Sequence, residues 1–232
     1  MKVIIKHTGL VILIAITFWS CRELPQYPVV PSIEYRSIYY RETDTTNYLT
    51  IEIDFKDGDG DLGFNSKSPA DVREPYNAIW YYSNIDDGSL VTYADRSTPS
   101  YDTLPPYQYP YTCINYSIEE ADTFYIERNP NHYNILVNYF VKKNGEFTLF
   151  DWITWNPPNC GESYNGRFPI LNESGQTKPV EGTLKYDMTG LGFEVIFKRD
   201  TLKLEIQIQD RALNRSNTVE TPEFVLNNIK IN

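Results

Sequence analysis

The chain has 232 residues and a formal net charge of −10, with 41% hydrophobic and 22% charged side chains. That sign excludes the basic footprint of a nucleic-acid binder, and of a protein held to an anionic bilayer by surface charge. Aromatics reach 15%, with 19 Tyr; tyrosine buries a large ring yet keeps its hydroxyl in water, which suits half-exposed sheets.

Lys2, Lys6 and His7 open the chain, and Leu10 to Phe18 is apolar apart from Thr17. A run this short falls below the roughly 20 residues that span a bilayer, so residues 1–20 read as a secretory signal peptide. Ser20 before Cys21 gives the small residue that a lipoprotein signal peptidase cuts after, so Cys21 is the expected lipidation site and membrane anchor. The first twenty residues hold two lysines and no acid, which leaves 19 basic against 31 acidic side chains, a formal charge of −12, on residues 21–232. Pro25, Pro28 and Pro31 predict an extended tether over residues 21–31, rising about 3 Å per residue.

Residues 32–232 alternate. Ile33–Tyr40 and Tyr48–Phe55 read as the first two strands, and in Leu49–Phe55 every odd residue is apolar and every even one polar. Short strands follow at Ala78–Tyr82, Leu90–Tyr93 and Thr112–Tyr116. Tyr133–Val141 is apolar on both faces, as a central strand is, and the Asn144-Gly145 turn joins it to Glu146–Trp152. Thr183–Met188, Phe193–Phe197, Leu202–Gln209 and Thr218–Leu226 complete the set, with Gly190-Leu191-Gly192 as a turn. No segment carries three turns of helical periodicity. The class is all-β, and the regular ends predict an elaborated immunoglobulin-like β-sandwich. Residues 65–179 are too many for a minimal sandwich and read as partly an elaboration, a second small domain being the alternative.

Lipidation of Cys21 leaves Cys113 and Cys160 as one candidate disulfide in an oxidising compartment. Closing that loop is worth about 4 kcal/mol in the chain-entropy picture, and two free thiols remain open.

One loop carries chemistry. The second strand runs into Lys56-Asp57-Gly58-Asp59-Gly60-Asp61-Leu62-Gly63, three carboxylates separated by glycines. Bare, they repel; a hard cation bound by oxygen ligands removes that cost, and the glycines let the backbone curl. The loop departs from the EF-hand pattern, since Leu62 stands at its sixth position and Ser68 at its twelfth. Ligands must then come from elsewhere, and the loop between the last two strands, Asp210 to Asn217, lies at the same pole of such a sandwich. Asp57, Asp59, Asp61, Asp210 and Asn214 are the candidate ligands of a structural Ca2+, which tolerates looser geometry than Mg2+. The competing reading is a solvated acidic turn closed by Asx hydrogen bonds.

Three segments, Lys56–Gly63, Asn165–Leu171 and Asp210–Asn217 with Thr221-Pro222-Glu223, resemble a family of Bacteroidota outer-membrane lipoproteins. The resemblance implies an outer-membrane lipoprotein and carries no activity. It also makes Asp44-Thr45-Thr46, Asp102-Thr103-Leu104 and Asp200-Thr201-Leu202 similar to O-glycosylation sequons.

His132 is the one histidine after residue 20, which excludes a site with two histidine ligands; it reads as a turn residue. The expectation is a non-catalytic, lipid-anchored cell-envelope module acting in protein interaction or an outer-membrane assembly, on the periplasmic or the surface face. The alternative is a carbohydrate-binding surface lipoprotein with Trp80, Trp152 and Trp155 stacking on sugar rings. A glycosidase would need two carboxylates about 5–9 Å apart, and no pair is singled out by its neighbours.

Overall fold

A computed structural model describes residues 25–101, 104, 115–119, 122–155, 163–172, 175–190, 192–197 and 199–231. Cys21, Cys113, Cys160, Leu191 and the sequon residues Asp102 and Thr103 lie outside them. The described chain is all-β, with helices of a single turn. Among the described residues no helix is long and apolar enough to cross a membrane.

Two four-stranded sheets make a sandwich. In the first, β1 (Ser32–Glu42) pairs with β2 (Asn47–Asp57), which pairs with β8 (Val180–Thr189), all antiparallel; β11 (Lys230–Ile231) adds to β1 in parallel. In the second, β9 (Leu202–Ile208) lies between β10 (Val219–Glu220) and β6 (Ile135–Lys143), and β6 pairs onward with β7 (Glu146–Leu149). Leu49, Ile51 and Ile53 of β2 face Leu202, Leu204, Ile206 and Ile208 of β9 in one core with Ile135, Val137 and Tyr139 of β6. The period-two pattern sets this arrangement, because it places every second side chain on the dry face.

A third sheet sits within the middle of the chain: β3 (Ile79–Tyr81) and β4 (Tyr116–Glu119) flank β5 (Asp122–Arg128), over a small core of Val91, Leu104, Tyr116 and Tyr125. The span 65–179 thus holds this three-stranded sheet together with two sandwich strands, β6 and β7.

Several expected strands differ. Phe193–Phe197 is a helical turn, here α2, because Phe193 and Phe197 are both buried while Val195 between them is 72% exposed. That four-residue spacing belongs to a helix, whereas a strand would put residue 195 on their side. The expected β7 stops at Leu149, and Trp152–Trp155 forms the helical turn α1. Thr218–Leu226 ends as a strand at Glu220: Thr221 N–H still reaches Leu204 O at 2.9 Å, Pro222 offers no amide, and Phe224 rejoins by bridging to Leu202. The strand β5 matches no segment expected from the sequence. The tether expected over 21–31 is also packed in part: the Tyr27 and Pro28 carbonyls lie against Gly58.

Candidate metal centre

The parity that builds the core also builds the site. Along β2 the inward positions are Leu49, Ile51, Ile53 and Phe55, and the next inward position is Asp57. Along β9 they are Leu202, Leu204, Ile206 and Ile208, and the next is Asp210. Both aspartates are completely buried. One strand comes from each sheet, and both end at the same pole, so two carboxylates enter the rim of the core from opposite sides.

The loop after β2 adds two more. Asp57, Asp59 and Asp61 each bring a carboxylate oxygen within 4.8 Å of the others. Both oxygens of Asp57, with Oδ1 of Asp59 and Oδ1 of Asp61, are shielded from solvent and accept no hydrogen bond of ordinary geometry. At an effective dielectric of about 20, two charges at that separation repel by about 3 kcal/mol, so three ionised carboxylates store about 10 kcal/mol. That equals the whole stability of an ordinary domain, so protons or a cation must neutralise them.

The electrostatics agree. Burial, then the charges of Asp59, Asp61 and Asp210, push the Asp57 carboxyl up to about 7, against a weaker opposing bond from the Asp61 backbone. Burial, Asp210 and Asp59 push Asp61 up to about 6, against hydrogen bonds from the backbone of Ala212 and Arg211. Asp210 is likewise raised by burial, although Asn214 bonds oppose the shift. Asp210 therefore stands within electrostatic reach of Asp57 and Asp61, although some 150 residues separate them in the chain.

Asn214 bonds directly to Asp210. Its backbone N–H donates to Asp210 Oδ1 at 2.7 Å and its side-chain amide to Oδ2 at 2.8 Å, so it orients Asp210. Such outer partners fix the direction of a ligating carboxylate. Ala212 N–H donates to Asp61 Oδ2 at 3.0 Å, tying the two loops together.

The glycines of the loop serve close crossings. A Cβ on Gly60 (φ +71°) would lie 2.3 Å from the Lys178 carbonyl oxygen, and one on Gly63 (φ +102°) 2.2 Å from that of Pro169. Phe64 N–H donates to Phe168 O at 3.0 Å and Leu171 N–H to Leu62 O at 3.1 Å. Lys56–Gly63, Asn165–Leu171 and Asp210–Asn217 therefore converge on one pole, whereas Thr221-Pro222-Glu223 runs along β9 toward Leu202.

Sequence reasoning missed the layer beneath. Asp71 is almost fully buried, accepts from Asn65 N–H at 2.7 Å and pairs with both Nη atoms of Arg211 at 2.6 and 2.8 Å. Burial raises the Asp71 carboxyl, but Arg211 and the Asn65 N–H prevail and hold it below the ordinary aspartate value. Arg167 donates to the Asp71 carbonyl and covers the Phe64 ring, and the Tyr76 hydroxyl donates to the Arg211 carbonyl. The signal was present as an Arg beside each motif, but neither spacing nor periodicity joins Asp71 to a residue 140 positions away.

The remaining candidates lie elsewhere. His132 sits in the bend after Asn129, its Nδ1 3.0 Å from the Tyr76 carbonyl. Trp80 is on β3 in the three-stranded sheet. Trp152 packs edge-on against Tyr139, Phe150 and Phe197 at the border of the main core, and Trp155 stands at 83° to it. Trp152 and Trp155 thus share no common plane.

No protein-family model, curated protein or solved structure matches the chain.

Proposed function

We propose that the chain is a non-catalytic, lipid-anchored module of the cell envelope, an elaborated immunoglobulin-like sandwich whose pole is held together by Ca2+. The observation that carries the metal reading is Asp57: a fully buried carboxylate whose oxygens accept no hydrogen bond of ordinary geometry, facing Asp59, Asp61 and Asp210. Hydrogen bonds within the loop account for a solvated acidic turn, but the Asp61 backbone N–H does not offset the burial of an aspartate placed on the inward face of a core strand among three other carboxylates.

Asp57, Asp59, Asp61 and Asp210 would hold the ion, with Asn214 positioning Asp210. An all-oxygen, acidic donor set favours a hard cation, and Ca2+ accepts the irregular geometry of a loop plus a strand end. The Asp57 oxygens are shielded from solvent, which supports a structural role over one in turnover. An acid–base pair of the glycosidase kind needs open access for a sugar and a water, and Asp57 has none.

The anchor rests on Ser20-Cys21 and the outer membrane on the family resemblance; there the surface of the module would serve a protein interaction or an assembly. Replacing Cys21→Ala should move the protein from the outer-membrane fraction to the soluble fraction. Unchanged fractionation would sink the anchor. Adding Ca2+ to chelator-treated protein should raise its melting temperature, and an unmoved transition would sink the metal reading.

A further inference from the structure

The N-terminal segment that leads into β1 crosses the outside of the acidic loop. Gly58 lies between Asp57 and Asp59, and a Cβ there would stand 2.3 Å from the Tyr27 carbonyl oxygen and 2.6 Å from that of Pro28. The backbone of residues 27–28 is therefore packed directly on the backbone of the loop. Gly58 has no left-handed φ, so close approach alone accounts for glycine at this position.

The side chain of Tyr27 fastens the same crossing. Its ring lies under the Lys56 ammonium, 5.7 Å from the centroid, and its hydroxyl bonds to Glu181. Lys56 and Glu181 face each other across β2 and β8, so Tyr27 spans the ends of both strands. On the opposite sheet, Asn217 from the Asp210 loop clamps the start of β1: its side chain accepts from Ile33 N–H and donates to Ile33 O, both at 2.9 Å. The entering chain is thus gripped by both loops that supply the carboxylates.

We infer that residues 27–31 form a latch that the cation closes, and this rests on the Ca2+ reading above. The floor on which Tyr27 and Pro28 lie is the peptide between two of the mutually repelling aspartates. With the charges neutralised, the loop holds the compact path that brings Gly58 under the segment. With them bare, repulsion spreads the loop and removes the floor. Docking and cation binding therefore favour each other, and thermodynamic linkage makes the coupling reciprocal: whatever factor Ca2+ adds to docking, docking adds to Ca2+ affinity.

The consequence concerns how the domain is presented. If Cys21 is the anchor, a closed latch leaves five residues, 22–26, between lipid and domain, a reach of at most about 18 Å. An open latch adds residues 27–31 and roughly doubles that reach. Ca2+ would then set how close the metal pole stands to the membrane.

The test uses the purified full chain, elastase, and mass spectrometry of the product that begins at Val30. Cleavage between Val29 and Val30 should be at least tenfold slower in millimolar Ca2+ than in chelator. Gly58→Ala should be cut at the fast rate in both conditions, and its Ca2+ affinity by calorimetry should fall several-fold. Tyr27→Ala, which leaves the acidic loop untouched, should behave in the same way and covers the case that Gly58→Ala does not fold. Equal wild-type cleavage rates, with Ca2+ binding seen in calorimetry, would overturn the latch and leave the metal centre standing. Absence of calorimetric Ca2+ binding would overturn both.

Discussion

Replacing Asp57 by asparagine should stabilise the metal-free protein while abolishing its response to Ca2+. The carboxyl is pushed from an ordinary 3.8 up to about 7 by burial and by three neighbouring carboxylates. At pH 8 without metal, the folded protein must ionise it against that resistance, whereas the unfolded chain ionises it freely. A shift of this size corresponds to about 4 kcal/mol, and sharing of protons within the cluster reduces the observable part to about 2–4 kcal/mol. The asparagine amide has nearly the same shape and carries no charge, so the variant escapes the cost. Ca2+ acts oppositely on the wild type: at a hundredfold excess over its dissociation constant it adds about 2.7 kcal/mol. For a domain of this size that is about 5–10 °C in melting temperature. Thermal melts at pH 8 should therefore place Asp57→Asn above the wild type in chelator, and the order should narrow or reverse in millimolar Ca2+. A variant less stable than the wild type in chelator would refute the reasoning, because it would mean that favourable partners of ionised Asp57 outweigh its burial and its acidic neighbours.

Three further outcomes follow from the geometry. In chelator, stability should fall as pH rises from about 4 to 7: the folded pKa values of Asp57 and Asp61 lie above the unfolded ones, so the native state holds protons that the unfolded chain has released. Denaturant titrations across that range check the slope, and saturating Ca2+, which competes with the protons for the same carboxylates, should reduce it. Asp71→Ala should cost about 2–3 kcal/mol, since it strands Arg211, which is partly solvent-exposed, and frees Asn65 N–H; a loss below 0.5 kcal/mol in urea melts would show that the pair is inert. Gly63→Ala should destabilise by more than about 3 kcal/mol, because φ is +102° and the Pro169 carbonyl blocks a Cβ, whereas Gly145→Ala, at φ +91° in open space, should cost only about 1 kcal/mol.

Where one face of a strand is dry, its sequence was readable. The alternation of Leu49–Phe55 and of Leu202–Ile208 located the two central strands, and the Asn144-Gly145 turn located a hairpin that the structure contains. Continuing that alternation by one step would have placed Asp57 and Asp210 inside the core, which is a stronger statement about the site than acidity alone. What could not be read was non-local. Phe193 and Phe197 sit too close together for a one-turn helix to show a period, and Asp71 meets Arg211 only because two loops share a pole. Asn214 was legible as a polar residue near the site, but whether it ligates or positions depends on which atoms Asp210 offers it. The glycines looked like flexible spacers between carboxylates. In the folded chain each admits a different crossing backbone, at residues 27–28, 178 and 169.

The most direct test of the metal centre is equilibrium dialysis of the chelator-treated full chain against Ca2+, with the bound metal quantified by atomic emission. The wild type should take up Ca2+ saturably, and Asp57→Asn combined with Asp210→Asn should take up none while remaining folded by circular dichroism. Equal uptake by the two proteins, or no saturable uptake by the wild type, would contradict the account.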